Sequence, residues 1–429
     1  MTSDGQAIER LREYLRSLTP AARSMLVQEL ERSMACGDET AGNELILQEL
    51  RRTLRADAEP APRMGDADRL FFAPLEPFLV EARADHKRIG RIARVSLDPI
   101  WAWLARDLIP AEAKALGEDI ARALAAGDRG KADQVVHALH DRAVVRMRET
   151  VAATTNDDKA RRRLGVHAGT PRAAEDLSAI IAILSLRDVL TDLARRLPGH
   201  IRVFDREQID SIKTQIDAAA SQIGVDNSGA KKADVYLYGL ILVMNRLAAP
   251  WQLLRLGVRA ADSDETVRIG ETPYAMAVTL VLSETQSLVS ELRAELKSGR
   301  PIVSMLKSIH DAARGLRSEI DLSVDSPWAR QLAAMRADVS ALLKAEIETT
   351  PGCVRRILRP RPAKEIAPGS LLDSFDVAEA ENRVEFVCAC RNFASELAVN
   401  EVTMRAHSEL TLYLETGTKV LLDSLRHAG

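Results

Sequence analysis

Apolar residues recur at helical spacing along almost the whole chain, and this pattern constrains the fold more than any other feature. Three clear examples lie at residues 205–223, 302–320 and 328–343. Side chains spaced three and four residues apart share one face of an α-helix. In the first example the stripe consists of Ile209, Ile212, Ile216, Ala219 and Ile223. No stretch of the sequence alternates apolar and polar residues as a half-buried strand does, so we predict an all-α protein.

Proline positions and composition support the helical interpretation. Aromatic residues, which β-sheets favour, make up only 4% of the chain. Several prolines directly follow a residue whose side chain can cap a helix, as Asp98 before Pro99 and Ser326 before Pro327 do. Proline is well tolerated at the first helical position, where its missing N–H would have no partner in any case. Each such pair therefore predicts the start of a helix.

Two polar stretches that contain proline and glycine, residues 56–69 and 359–369, divide the helical pattern. Such composition is typical of linkers. We therefore expect an N-terminal three-helix module in residues 1–55, a helical body in 70–358 and a C-terminal long helical hairpin in 370–429. The hairpin helices have broad apolar faces, which we expect to pack back on the body. The predicted architecture is a multi-helix bundle.

Charge and length exclude several classes of protein. The 59 lysine and arginine residues nearly balance the 62 acidic ones and leave a net charge of −3, whereas a dedicated nucleic-acid binder has a strong basic excess. We therefore expect no nucleic-acid partner. The longest apolar runs fall well short of the roughly 20 residues that span a membrane, so we expect no transmembrane segment.

Cysteine content and the start of the sequence bear on localisation. Four cysteines in 429 residues do not form a disulfide framework and favour reduced thiols in a cytoplasmic protein. Two of them, Cys388 and Cys390, fall on a predicted helix among apolar residues, and we expect both to be packed thiols. The first residues show no basic region followed by an apolar one, so we expect no signal peptide.

The strongest polar constellation is Asp133, His137, His140 and Asp141. Spacings of three and four residues place these groups on neighbouring turns of one helix. Histidine and aspartate clusters of this kind can bind a metal ion, so the four residues are a candidate metal site. The simpler interpretation is an exposed polar helix face.

Aromatic residues concentrate at Phe71, Phe72, Phe78, Trp101 and Trp103. Two prolines interrupt the first part of this region and exclude a regular helix there. One interpretation is an irregular apolar arm that docks on the helical body. The other is a contact surface for a partner protein, because aromatic residues concentrate at interfaces. The five aromatic residues are therefore candidate interaction residues.

Three basic clusters stand out, and the one that precedes the C-terminal helices is the best candidate for binding phosphate or an acidic partner. It consists of Arg355, Arg356, Arg359, Arg361 and Lys364. An acidic lipid headgroup is one ligand that it could bind. The other two clusters, at residues 87–94 and 159–163, are better explained by charges that face solvent or pair within the chain.

Two features suggest contact with another helix or another chain. The apolar stripe at 205–223 is narrow, which suits a helix packed on one neighbour, from this chain or from a second copy. Gly417 falls on the inner face of the last predicted helix, where it would allow another helix to approach closely. A homo-oligomer is therefore compatible with the sequence.

Motifs of the common catalytic and nucleotide-binding folds do not occur in this sequence. It has no P-loop, no glycine-rich dinucleotide fingerprint and no nucleophile elbow, and we expect no cofactor. Our leading hypothesis is a non-enzymatic helical scaffold or adaptor that acts through contacts with a protein partner. The alternatives are a metal-dependent hydrolase that uses the four-residue cluster and a peripheral protein that binds acidic lipid through the basic linker.

Overall fold

A computed structural model describes residues 66–81, 88–126, 128–170, 172–223, 231–298, 302–322, 325–357 and 374–428, together with Ile46. The chain divides by its internal contacts into two units, Met1–Gly65 and Asp66–Gly429. All the described residues except Ile46 belong to the second unit. The predicted module at 1–55 lies otherwise outside the described residues, as do most of the linker at 56–69 and the whole linker at 359–369.

The described residues of the second unit form sixteen α-helices, which confirms the all-α prediction. They are α1 (Asp66–Phe72), α2 (Leu97–Trp103), α3 (Pro110–Ala125), α4 (Arg129–Thr154), α5 (Asp158–His167), α6 (Ala173–Ser185), α7 (Arg187–Arg196), α8 (Arg206–Ser221), α9 (Lys232–Met244), α10 (Leu254–Ala261), α11 (Thr266–Gly270), α12 (Ala275–Ser298), α13 (Val303–Glu319), α14 (Pro327–Ile357), α15 (Ser374–Phe393) and α16 (Asn400–Ala428). None of the helices in this described part combines the length and the apolar character that crossing a membrane requires.

Short elements join these helices. Three 3₁₀ turns (Ala73–Phe78, Arg94–Ser96 and Pro250–Leu253) and one π-helical turn (Leu104–Leu108) occur among the described residues. Two strands of two residues each, β1 (Leu79–Val80) and β2 (Ile92–Ala93), pair in parallel. This pairing is too short to give the alternating pattern that predicts a strand from sequence.

Helix α12 connects two groups of helices. It contacts α9 and α10 on one side and α13 and α14 on the other. In the C-terminal group, α14 contacts α15 and α16, and α13 contacts α15. The core of this group takes buried side chains from all five of its helices, among them Val289, Leu306, Leu343, Val387 and Leu410. The two C-terminal helices thus pack on the helices before them.

Both sequence features that suggested a second chain have a different explanation. The stripe of Ile209, Ile212 and Ile216 is buried in α8, which packs against α9 and α10 of the same chain. Gly417 is exposed, and a Cβ built on it would meet no atom within 4 Å. The prediction that Gly417 faces a neighbouring helix is therefore wrong for the part of the chain that the structure describes.

A buried carboxylate holds the loop between α15 and α16. The Glu396 side chain is 6% exposed, and Arg317 of α13 donates to its Oε2. Arg336 of α14 donates to the Glu396 carbonyl oxygen from Nε at 3.0 Å and from Nη2 at 2.7 Å. Ala398, two residues on, has a φ of 55°, a left-handed conformation that costs energy outside glycine. The two arginines offset this cost by fixing the loop.

We expect the substitution Arg317→Met to lower the free energy of unfolding by about 2 kcal/mol, because the buried Glu396 carboxylate loses the arginine that donates a hydrogen bond to it. The remaining arginine, Arg336, is 3.9 Å from Glu396 Oε1. Urea denaturation followed by circular dichroism measures the effect. Glu396→Gln in the same background should recover most of the loss, and Arg314→Met, which removes an exposed arginine of the same helix, should change little. An Arg317→Met variant as stable as the parent would contradict the expectation.

Candidate functional site

The aromatic residues that the sequence singled out lie mostly in the core. Phe71, Phe72 and Phe78 are at most 2% exposed and Trp103 is 4% exposed. The Phe71 ring centroid is 5.1 Å from those of both Phe72 and Trp101. Only Trp101 is half-buried. Four of the five side chains therefore cannot form a partner surface, which corrects that interpretation: the segment docks on the body because burial of its rings is favourable.

His140 of α4 anchors this aromatic segment. Its ring is 1% exposed, and Nε2 donates a hydrogen bond of 2.7 Å to the carbonyl oxygen of Phe71. Since that carbonyl can only accept, Nε2 carries a proton, and Nδ1 has no hydrogen-bond partner within the described residues. Burial lowers the pKa of His140 to about 4. The residue is therefore a neutral core histidine at physiological pH.

The four candidate metal ligands do not converge. Asp133, His137 and Asp141 are exposed, whereas the ring of His140 points into the core. Asp141 accepts a hydrogen bond of 2.9 Å from Arg187 Nη1. No group of three or more histidine, cysteine or acidic side chains that could hold a metal ion occurs anywhere in the described ranges. One helix supplies all four residues, and the rings of His137 and His140 are neighbours at a centroid distance of 6.1 Å, but no third ligand joins them among the described residues.

The basic cluster near residue 355 is partly engaged within the chain. Arg355 lies 3.6 Å from Glu409 of α16, and its guanidinium lies 5.9 Å from the centre of the Tyr413 ring. Arg356 donates to the Cys353 sulfur at 3.7 Å. The remaining three members, Arg359, Arg361 and Lys364, lie outside the described residues. Arg355 therefore stabilises the contact between α14 and α16, whereas the contact of Arg356 stays within α14.

The cluster at residues 87–94 is balanced inside the fold, as its internal-pairing interpretation expects. Arg88, Arg91 and Arg94 all bind acceptors of the same chain. Their partners are Glu284 and Glu291 for Arg88, the Pro77 carbonyl and Asn245 for Arg91, and Glu76 and Glu81 for Arg94. Lys87 lies outside the described residues. Arg88 and Arg91 thus hold this segment against α12 and the end of α9, and Arg94 binds the acidic residues in and just after the 3₁₀ turn Ala73–Phe78.

The third cluster lies on helix α5. Asp157 caps the helix, because its Oδ1 accepts hydrogen bonds from the backbone N–H groups of Lys159 and Ala160 at 2.8 and 3.1 Å. These bonds lower the pKa of Asp157. Leu164 is 5% exposed and turns the opposite side of the helix toward α4 and α6. The cap and this single anchor determine which face of α5 meets solvent.

Four exposed residues occupy that outer face, and we refer to them as the α5 basic face: Lys159, Arg162, Arg163 and Val166. Their spacing of three, one and three residues places them side by side over two turns. Val166 is 79% exposed. Within the described residues none of the three cations makes a hydrogen bond or an ion pair. The face therefore combines three free positive charges with one apolar side chain.

The acidic residues around the α5 basic face have other roles. Asp157 binds the helix N-terminus, and the charge of Arg163 contributes only a smaller part to its lowered pKa. Asp158 lies 3.9 Å from Arg161, at the side of the face. Chemically, the face offers guanidinium and ammonium donors that can bind carboxylates. From the sequence, residues 159–163 are explained by charges that face solvent or pair within the chain. The spacing of 159, 162, 163 and 166 is the signal that indicates a shared face.

The described cysteines differ in exposure. Cys390 is buried, and desolvation raises the pKa of its thiol to about 12. Cys388 is exposed, so the prediction that both are packed is wrong for this residue. Residues two apart in a helix point to opposite sides, which explains the difference.

Comparisons of the chain with protein-family models, with curated proteins and with solved structures found no match. A function for this chain must therefore be inferred from its own residues, and among those that the structure describes the α5 basic face is the candidate functional site.

Proposed function

We propose that this protein is a non-enzymatic helical scaffold or adaptor that acts through contacts with a protein partner, and that the α5 basic face is one of its binding surfaces. The observation that carries the proposal is the combination of Lys159, Arg162, Arg163 and Val166 on one exposed helix face, where the three cations make no hydrogen bond or ion pair with the described residues.

The arginines of the cluster at residues 87–94 make contacts within the fold that those of the α5 basic face do not make, and this difference supports the proposal. Arg88, Arg91 and Arg94 hold segments of the fold together. Arg162 and Arg163 stabilise no such contact, although arginine is the cation that forms the most specific ion pairs at protein interfaces. A valine as exposed as Val166 adds apolar area that becomes favourable only when a partner covers it.

The alternative of lipid binding has less support from the described residues. It relies on the basic cluster that leads into the linker at 359–369, and the first arginine of this cluster, Arg355, pairs with Glu409. A hydrolase built on the cluster around His140 would need at least three metal ligands that converge, and the described residues contain no such group. Protein binding is therefore the proposal that the geometry supports best.

A photo-crosslinking amino acid placed at position 166 tests the proposed function in the native cell. We expect a specific crosslinked adduct with another protein, because the side chain at this position lies at the centre of the proposed surface. The matched control is position 267, a valine of α11 that is 67% exposed, where we expect no such adduct. Absence of a protein adduct at position 166, or the same adducts at both positions, would contradict the proposal.

A further inference from the structure

The α5 basic face has the charge and the spacing to recognise one chemical class of partner. Lys159, Arg162 and Arg163 lie within five residues, and Val166 extends the face to two helical turns. At 1.5 Å per residue the four positions cover about 10 Å along the helix. That length matches three carboxylates on another helix at spacings of three and then four residues, which together also cover about 10 Å along the helix axis.

We propose that the partner segment bound by the α5 basic face is an acidic amphipathic helix, with glutamate or aspartate residues around one apolar side chain. This inference rests on the proposed scaffold function and names the chemistry of its partner. Arg162 and Arg163 bind the partner's carboxylates with two parallel hydrogen bonds each, and Lys159 supplies a third charge. Val166 packs against the apolar side chain between them.

Charge complementarity carries the choice of partner. No acidic residue lies among the four positions, and the nearest ones in the sequence, Asp157 and Asp158, interact with the helix N-terminus and with Arg161. No acidic residue of the described chain therefore occupies these three cations with an ion pair in place of a partner's carboxylates. Arginine also loses less hydration than lysine when it forms such a pair, so two arginines at the centre favour a desolvated protein contact.

A broad polyanion fits this surface less well than a narrow helix does. Asp158 is 83% exposed at the edge of the face, and a flat anionic membrane or a nucleic acid would also meet its negative charge. The whole chain carries a net charge of −3, which repels a large polyanion at long range. A single acidic helix can contact the four residues and avoid these acids.

The test uses the full chain and a fluorescent, helix-forming peptide with glutamates three and four residues apart around a central leucine. We expect saturable binding in fluorescence anisotropy, weakened by added salt because the contact is between charges. The double variant Arg162→Glu/Arg163→Glu should bind this peptide at least about tenfold more weakly. A peptide with lysine in place of every glutamate should bind the double variant in preference to the parent chain.

A matched double variant controls for the change in net charge. Arg195→Glu/Arg202→Glu alters two exposed arginines on α7 and on the segment before α8, and we expect it to bind the glutamate peptide as the parent does. Circular dichroism should show both variants folded. Equal loss in both double variants, or failure of the lysine peptide to prefer the Arg162→Glu/Arg163→Glu variant, would overturn the proposal.

Two further probes separate the partner class from the proposed function. Tighter binding of the parent chain to phosphatidylserine vesicles or to single-stranded RNA than to the glutamate peptide would overturn the acidic-helix proposal. Absence of peptide binding together with a protein adduct at position 166 would overturn only this inference and leave the scaffold function standing. Peptide binding without any protein adduct in the cell would instead count against the scaffold function.

Discussion

The substitution Phe71→Ala should lower the free energy of unfolding by about 3–5 kcal/mol, the largest effect that we expect from any single change in this chain. The Phe71 side chain is fully buried, and its ring contacts those of Phe72, Trp101 and His140 at centroid distances of 4.9 to 5.1 Å. Alanine removes most of the buried apolar surface and leaves a cavity that the rigid neighbours fill only in part. Chemical denaturation measures the loss directly.

Two comparisons make this prediction specific to burial. Phe71→Leu keeps most of the volume and should cost much less than alanine. Val145→Ala, in a side chain of α4 that is 51% exposed, should change stability by no more than about 0.5 kcal/mol. If Phe71 instead formed an exposed surface for a partner, alanine would weaken partner binding and leave the unfolding transition in place. A Phe71→Ala chain with the stability of the parent would therefore exclude the core position.

The all-α class could be predicted because the spacing of apolar residues along short stretches of the chain is enough to indicate helices. The stripe of Ile209, Ile212 and Ile216 predicts a helix that the structure has at Arg206–Ser221. Ser326 and Pro327 also behave as predicted, since the Ser326 hydroxyl accepts a hydrogen bond of 3.1 Å from the N–H of Ala329 at the start of α14. Both features, the apolar stripe and the helix cap, depend only on residues that are close together in the sequence.

Helix boundaries that depend on neighbouring turns could not be predicted in the same way. Asp98 was expected to cap a helix before Pro99, but α2 already begins at Leu97 because the 3₁₀ turn Arg94–Ser96 leads directly into it. Helix α14 continues through Pro351, which removes one backbone hydrogen bond. Burial of Ile347 and Val354 on either side of the proline compensates for that loss.

The candidate sites were hard to predict because tertiary contacts, which no local pattern shows, determine the role of each residue. Helical spacing places His137, His140 and Asp141 close together on α4, yet the partner of His140 is the carbonyl of Phe71, 69 residues earlier. No local pattern shows that one of the three turns inward. More of the α5 basic face could be predicted, because the spacing of its charges is visible in the sequence. The sequence does not show which side of α5 is buried, and the structure shows this through Leu164.

Acidification should lower the free energy of unfolding through His140 more than it does through an exposed histidine. An unfolded chain binds a proton at this imidazole near its usual pKa of 6.5, whereas burial keeps the folded residue neutral down to a pKa of about 4. Between these two values the unfolded state binds more protons, so stability falls as the pH falls through the window and falls no further below it. At about 1.4 kcal/mol per pH unit, the loss that His140 causes is roughly 3 kcal/mol.

The variant His140→Gln isolates this contribution, because its amide can still donate a hydrogen bond to the Phe71 carbonyl but does not titrate. We expect the difference in unfolding free energy between the parent and this variant to change by roughly 3 kcal/mol in favour of the variant between pH 7 and pH 4. Carboxylates that titrate in both chains cancel in that difference. His200→Gln is the control: it removes one exposed histidine from the segment that follows α7, and the pH dependence should stay that of the parent. If this difference does not vary with pH, the His140 imidazole takes up its proton at the same pH in the folded and the unfolded chain. That result would contradict the assignment of His140 as a buried neutral histidine that holds the aromatic segment.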